Sequence, residues 1–231
     1  MPINSFLYPA PSNSDNFEVS NSLRFDDGSS DYLNKTLSSS GNRKTFTISF
    51  WQKLGTGFDA DRAVITGGTN TSNYFMIRNQ STQGLQILDY ASADNVNLVT
   101  NRKFRDVSAW YHIVVAIDTT QSTASDRVRL YVNGVEETSF STETNPDQND
   151  DLQFNNNTSH AIGRREPASN LYFDGYLAEF VFIDGQQLTP TSFGEFDSAS
   201  PTIWKPKEIL TQLNFGTNGF YLQFKNSSSL G

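Results

Sequence analysis

The chain contains no cysteine, and that one absence removes disulfides, thiol nucleophiles and cysteine metal sites together. It also points away from a eukaryotic secreted β-domain, which more often carries a disulfide, and towards a bacterial or viral source. Histidine is nearly as scarce, with only His112 and His160. His112 lies inside an apolar stretch and His160 follows a polar one, so a packing or surface role is expected for both. Cations are outnumbered, 17 Lys and Arg against 25 Asp and Glu, for a net charge of −8. Phosphate backbones and anionic membrane surfaces would be repelled, so nucleic acid is not an expected partner. No run is long and apolar enough to span a bilayer, and membrane insertion is not expected. The G-x-S-x-G elbow, the H-E-x-x-H zinc motif, the P-loop and G-x-G-x-x-G are all missing. The start, MPINSFLYPAPSNSDNF, has neither the basic opening nor the apolar run of a signal peptide. That predicts a chain not exported by the standard route, which is odd for a cell and normal for a virus whose particles leave by lysis.

What is present reads as β-structure. Lys44 to Lys53 alternates, with Phe46, Ile48 and Phe50 on one face and Thr45, Thr47, Ser49 and Trp51 on the other. An apolar face opposite a Thr/Ser face predicts a half-buried antiparallel strand, with Trp51 meeting a loop or a second sheet. Short strands are expected at Asn21 to Phe25, from Tyr32, at Ala63 to Thr66, Tyr74 to Arg78, Leu85 to Tyr90 and Val96 to Thr100. Trp110 to Asp118, Arg127 to Val132, His160 to Gly163 and Gly175 to Ile183 follow. Asn133-Gly134 supplies the dipeptide of a type I′ hairpin, whose two central residues take φ > 0. Many short strands with regular turns give an all-β fold, a two-sheet antiparallel jelly-roll sandwich. Its core is expected to hold Ile48, Phe50, Ile113, Val115, Leu130, Val132 and Leu177. Residues 138–159 are polar and read as an extended surface loop or a wandering edge strand. Thr189 before Pro190 is the one helix start, predicting one or two turns through Phe196.

Residues 1–20 read as an extended N-terminal arm, 21–200 as the sandwich and 201–231 as a linker with something after it. NGFYLQFKNSSSLG resembles the early NSLRFDDGSSDYL. It is either the closing strand of one sandwich or the start of a second module, and both readings stand. The arm carries Phe6, Leu7, Tyr8 and Phe17 but too little apolar surface to fold alone. It is expected to dock on a neighbouring subunit or a larger shell, which implies a homo-oligomer.

Chemistry is sparse. Glycoside hydrolysis needs two carboxyls flanking one bond. Glu136 and Glu137 are adjacent and point to opposite faces, and Glu179 has no acidic neighbour at i±2. No catalytic residues are therefore expected. Asp26-Asp27, Asp59 with Asp61, Asp147 to Asp151 and Asp174 offer oxygen to calcium, but none forms an EF-hand loop. They read as solvated turn carboxylates, with no metal and no cofactor assigned.

Seven segments together carry a resemblance: SLRFDDGSSDYL, KTFTISFWQK, AWYHIVVAIDTT, VRLYVNGVE, HAIGRRE, YFDGYLAEFVFIDGQQLTPTSFGEF and IWKPK. From about Leu23 to Lys205 the chain resembles the laminin-G-like (concanavalin A-like lectin/glucanase) jelly roll. The extension FIDGQQLTPTSFGEF…IWKPK is similar to the version in structural proteins of tailed, especially marine, phages. The resemblance implies a virion structural protein, a tail fibre, appendage or surface decoration, with a lectin-like domain for host-surface attachment. Its partners would be other virion proteins and a host-surface glycan. The alternative is a glycan-binding module of a secreted bacterial protein. A sugar needs an aromatic platform with amide or carboxylate partners for its hydroxyls. The region around Asn73, Tyr74, Tyr90 and Asp94 offers that mix, with Arg78 as an added donor. The competing reading is that Tyr74 and Tyr90 only cover a sheet edge.

Overall fold

The computed structural model describes residues 17–55, 59–166 and 168–225. Most of the expected N-terminal arm lies outside them. The described residues form sixteen strands: β1 (Leu23–Phe25), β2 (Leu33–Thr36), β3 (Thr45–Leu54), β4 (Arg62–Asn70), β5 (Asn73–Asn79), β6 (Leu85–Ala91), β7 (Asp94–Thr100), β8 (Tyr111–Asp118), β9 (Val128–Val132), β10 (Val135–Glu137), β11 (Phe140–Thr144), β12 (Ser159–Ile162), β13 (Gly175–Asp184), β14 (Gly194–Phe196), β15 (Trp204–Pro206) and β16 (Phe220–Leu222). The first sheet runs β1-β13-β3-β8-β9-β10, and β16 also pairs with β13. The second runs β11-β7-β6-β5-β4-β12-β2, and β14 and β15 form a small ribbon. Neighbouring strands in both sheets pair antiparallel, as in the expected sandwich.

Alternation sets the packing. Phe46, Ile48 and Phe50 of β3 face inward with Ile113, Val115 and Ile117 of β8, against Phe75, Ile77, Ile87 and Leu98 of the second sheet. All seven residues expected in the core are buried. Asn133 and Gly134 take φ of 50° and 79°, turning β9 into β10 with Val132 opposite Val135. A side chain at Gly134 would also collide with Trp204, whose ring lies 2.3 Å from where a Cβ would sit.

Three local expectations are corrected. First, β3 is buried on both faces: Thr47 and Ser49 are 0% and 1% exposed. Residues beyond β13 lie over that face and satisfy the Thr47 hydroxyl, while Ser49 pairs with His112 of β8. Thr47 Oγ1 donates to Gln186 O at 2.7 Å and accepts from Leu188 N at 2.8 Å. A second apolar layer, with Val114, Ala116, Val181, Ile183, Phe193 and Ile209, seals the contact. Second, the polar segment 138–159 begins as edge strand β11, but its later half enters the core. Leu152, Phe154 and Asn155 are buried, and the Phe154 ring lies 5.1 Å from Phe182 and 5.2 Å from Phe75. The area gained by burying a phenylalanine outweighs the polarity of its neighbours. Third, within the helix expected from Thr189 to Phe196, Pro190–Ser192 forms a single 3-10 turn and Gly194–Phe196 is strand β14, while an unforeseen 3-10 turn spans Ala124–Asp126. Thr189 makes no capping bond to the backbone; its hydroxyl pairs with Thr191 Oγ1 at 2.9 Å.

The sheet edges are short. β1, β16 and β10 have three residues each, β2 has four, and β11 has five with a register shift between Phe140 and Thr142.

Candidate functional site

The sequence-predicted residues lie on and beside the outer face of the second sheet. The β5–β6 register sets Tyr74 opposite Tyr90, and the β6–β7 register sets Tyr90 opposite Asp94. Their rings are 5.7 Å apart at 40°. Tyr74 is only 8% exposed, because the segment after β12 folds over it: Arg165 lies 4.5 Å from its ring centroid and Leu171 packs alongside. Tyr90 remains half-exposed. Asn73 sits at the rim, its amide donating to Asn70 Oδ1 at 3.1 Å. Arg78 is four residues from Tyr74 along β5, roughly 13 Å away. The five residues therefore form no single pocket.

A polar ladder links two of them, Arg78 and Asp94. Arg78 pairs with Asp61 at 2.7 Å and donates through Nε to Gln86 Oε1 at 2.5 Å. Gln86 Nε2 donates to Asn97 Oδ1, and Asn97 Nδ2 donates to Asp94 Oδ2, both at 2.7 Å. Gln86 and Asn97 belong to the site and were not foreseen. For Gln86 the available signal was its period-2 placement with Tyr90 on β6; Asn97 is three residues from Asp94 and shares its face only through the register shift at Asp89/Tyr90, which the sequence did not signal. Each ladder member holds the next in one rotamer, so the row presents fixed donors and acceptors beside a half-exposed tyrosine.

The first sheet carries a second feature. Trp51 on β3 is opposite His112 on β8, and the two rings stack at 4.8 Å and 21°. His112 also stacks with Trp204 of β15 at 5.9 Å. Trp204 Nε1 donates to His112 Nδ1 at 2.9 Å, and an indole N–H can only donate. Nδ1 is therefore the acceptor and the proton sits on Nε2, 2.9 Å from Ser49 Oγ. Burial holds this imidazole neutral, pulling it down to about 3. His160 is likewise packed: its Nε2 accepts from Asn155 N at 3.1 Å, and burial pulls it down to about 4. Both histidines are structural, as expected.

Of the expected acidic turns, the fold brings together Asp26, Asp27 and Asp174, with carboxylate oxygens within 4.8 Å of one another. An all-oxygen set suits a hard cation. Here, however, Arg24 pairs with Asp174 at 2.7 Å, Arg62 pairs with Asp27, and Asp26 accepts from Gly28 N at 3.0 Å. The Arg62 hydrogen bond is the main reason that the Asp27 carboxyl lies below its usual range. Two of the three carboxylates are thus paired with the chain's own guanidiniums, and Arg62 is shared with Asp59. Glu179 is committed too: it accepts the Tyr221 hydroxyl, and burial raises its carboxyl above the usual range. Glu136 is exposed, whereas Glu137 is buried and accepts from Arg102 Nε at 2.6 Å.

Residues 27–192 match the family model described as the concanavalin A-like lectin/glucanases superfamily. Among solved structures, the LG1-3 region of the laminin α2 chain aligns with a TM-score of 0.52 at 13% identity, over 70% of this chain and 30% of that one. The heptameric SAP-like pentraxin of Limulus polyphemus aligns at 0.48 and 14% identity, over 68% and 71%. Domain 4 of an extracellular arabinanase from Geobacillus stearothermophilus, solved with arabinotriose, aligns at 0.49 and 21% identity, over 67% and 66%. No curated protein matches the chain. At 13% identity the likeness to the laminin region is one of fold.

Proposed function

This chain belongs to the concanavalin A-like lectin/glucanases superfamily, and on that premise we propose that it is a non-enzymatic, lectin-like protein of a phage virion that holds a host-surface glycan on the outer face of its second sheet. The observation that carries the glycan reading is the Arg78–Gln86–Asn97–Asp94 ladder beside Tyr90. Sugar hydroxyls pair with planar amides and charged groups held in fixed rotamers, and a pyranose lays its C–H face on an aromatic ring. The virion part rests on the extension that resembles phage proteins. It builds the β14–β15 ribbon and the outer layer around Phe193, so it is integral to this fold.

The non-enzymatic part rests on the acids. Asp94 lies opposite Tyr90, four residues along β6 from Gln86, which binds the arginine that pairs with Asp61. The side chains of Asn97, Gln86 and Arg78 stand between the Asp94 and Asp61 carboxylates, so the two do not face each other across one bond as hydrolysis requires.

A glycan array on the purified protein tests the reading, followed by the Tyr90→Ala and Asn97→Ala variants. Binding is expected, at least one glycan held by the wild type is lost in both variants, and no reducing sugar is released from laminarin, agar or alginate. A set of bound glycans unchanged by both substitutions, or hydrolysis that disappears in Glu179→Gln, overturns it. Mass spectrometry of purified phage particles tests the virion part. Absence of the chain from particles whose genome encodes it refutes that part.

A further inference from the structure

We propose that the cleft lined by the chain's three tryptophans, on the outer face of the first sheet, is a second carbohydrate site that takes a neutral pyranose. The chain has three tryptophans, and Trp51, Trp110 and Trp204 all line one cleft of about 320 Å³. That size lies within the ~300–1,000 Å³ range of small-molecule sites. Asn21 and Ser22 form part of its wall, ahead of β1.

The cleft is built and held from behind. Trp51 is braced on His112, and His112 is fixed by Ser49 and by the Trp204 indole. Trp110 precedes β8 and is 37% exposed, so an indole of large apolar area is left in water. Rigid aromatic platforms lose little entropy when a ligand lies on them. Among the described residues, neither the Trp51 nor the Trp110 indole N–H has a hydrogen-bond partner, which leaves two donors for hydroxyl groups.

The charge pattern selects the sugar. No carboxylate lines the cleft. Its one cation, Lys205, already lies 3.3 Å from Asp197 and 3.5 Å from Glu195. An acidic sugar finds no uncompensated cation there, whereas a neutral pyranose needs only stacking faces and donors. The cleft and the ladder lie on outward faces of different sheets, so the two sites are independent.

The three indoles make intrinsic tryptophan emission a reporter of this cleft. The intact protein is titrated with cellohexaose, laminarihexaose and maltohexaose, and with alginate oligomers as the acidic comparison. A saturable emission change with at least one neutral hexasaccharide is expected. Trp110→Ala, checked for an unchanged circular dichroism spectrum, should weaken it about tenfold, equivalent to ~1.4 kcal/mol. Tyr90→Ala should leave it unchanged, which separates this site from the ladder. No response to any neutral sugar, a response to alginate alone, or a response that persists undiminished in Trp110→Ala overturns the proposal. So does competition by a peptide of residues 1–16 that alone changes the emission, which would make the cleft a docking site for protein.

Discussion

Asp89 gives a pH signature whose sign is fixed by the fold. It sits on β6 with no exposure, Oδ1 accepting Gln153 N at 2.7 Å and Oδ2 accepting Asn95 Nδ2 at 3.2 Å. Burial is the largest influence and pushes its carboxyl up from 3.8 to about 6. The two hydrogen bonds and Arg43 pull it down, and Asp150 adds to the rise. Between those values the folded chain binds more protons than the unfolded one, so this group's contribution to stability falls as pH rises through the window. A carboxyl raised from 3.8 to about 6 costs the folded state about 3 kcal/mol at neutral pH. Asp89→Asn keeps the shape and an acceptor for Gln153 N but carries no charge. The histidines act in the opposite sense. Burial holds His112 at about 3 and His160 at about 4, below 6.5, so their contribution is lost as pH falls. Subtracting wild type from variant at each pH cancels them. Urea unfolding of both proteins from about pH 4 to about pH 8 should show the variant gaining up to ~3 kcal/mol relative to wild type. A flat difference, or one that runs the other way, refutes the reasoning.

Two further outcomes concern the loop and the turn. Phe154→Ala should cost about 3–5 kcal/mol, seen as a lower urea midpoint with unchanged slope, because its ring sits among Phe46, Phe75 and Phe182. A loss under ~1 kcal/mol would mean the loop does not plug the core. Thr189→Ala should stay within about 0.5 kcal/mol by thermal melting, since the hydroxyl caps no backbone N–H; a loss of ~1 kcal/mol or more would reveal a cap in solution.

Local chemistry was readable from the sequence, and long-range chemistry was not. Asn133-Gly134 announces its turn because the needed φ is a property of those two residues. The inward face of β3 is plain because alternation is local. Its outward face misled, because a threonine reads the same whether water or the backbone around Gln186 and Leu188 satisfies it. Phe154 was hidden inside a polar stretch for the same reason: its partners lie on β3, β5 and β13. At the candidate site, Tyr74, Tyr90 and Asp94 were legible as neighbours because two hairpins link them. Arg165 covering Tyr74 was not, since it arrives from beyond β12. The tryptophan cleft had no local signature, as its indoles come from β3, the start of β8 and β15.

The split edge of β13 bears on how copies of this chain can join. Leu177 pairs with Leu23, Phe180 with Leu222, and between them the strand breaks register, with Glu179 at φ 47°. A strand from another molecule would find at most a few consecutive backbone groups at any border of either sheet. Exposed Lys35, Glu136 and Glu143 stand on β2, β10 and β11. Such borders give a growing cross-β stack little template among the described residues, so crowded copies are not expected to convert into fibrils. Any lattice these chains build has to be written in side chains.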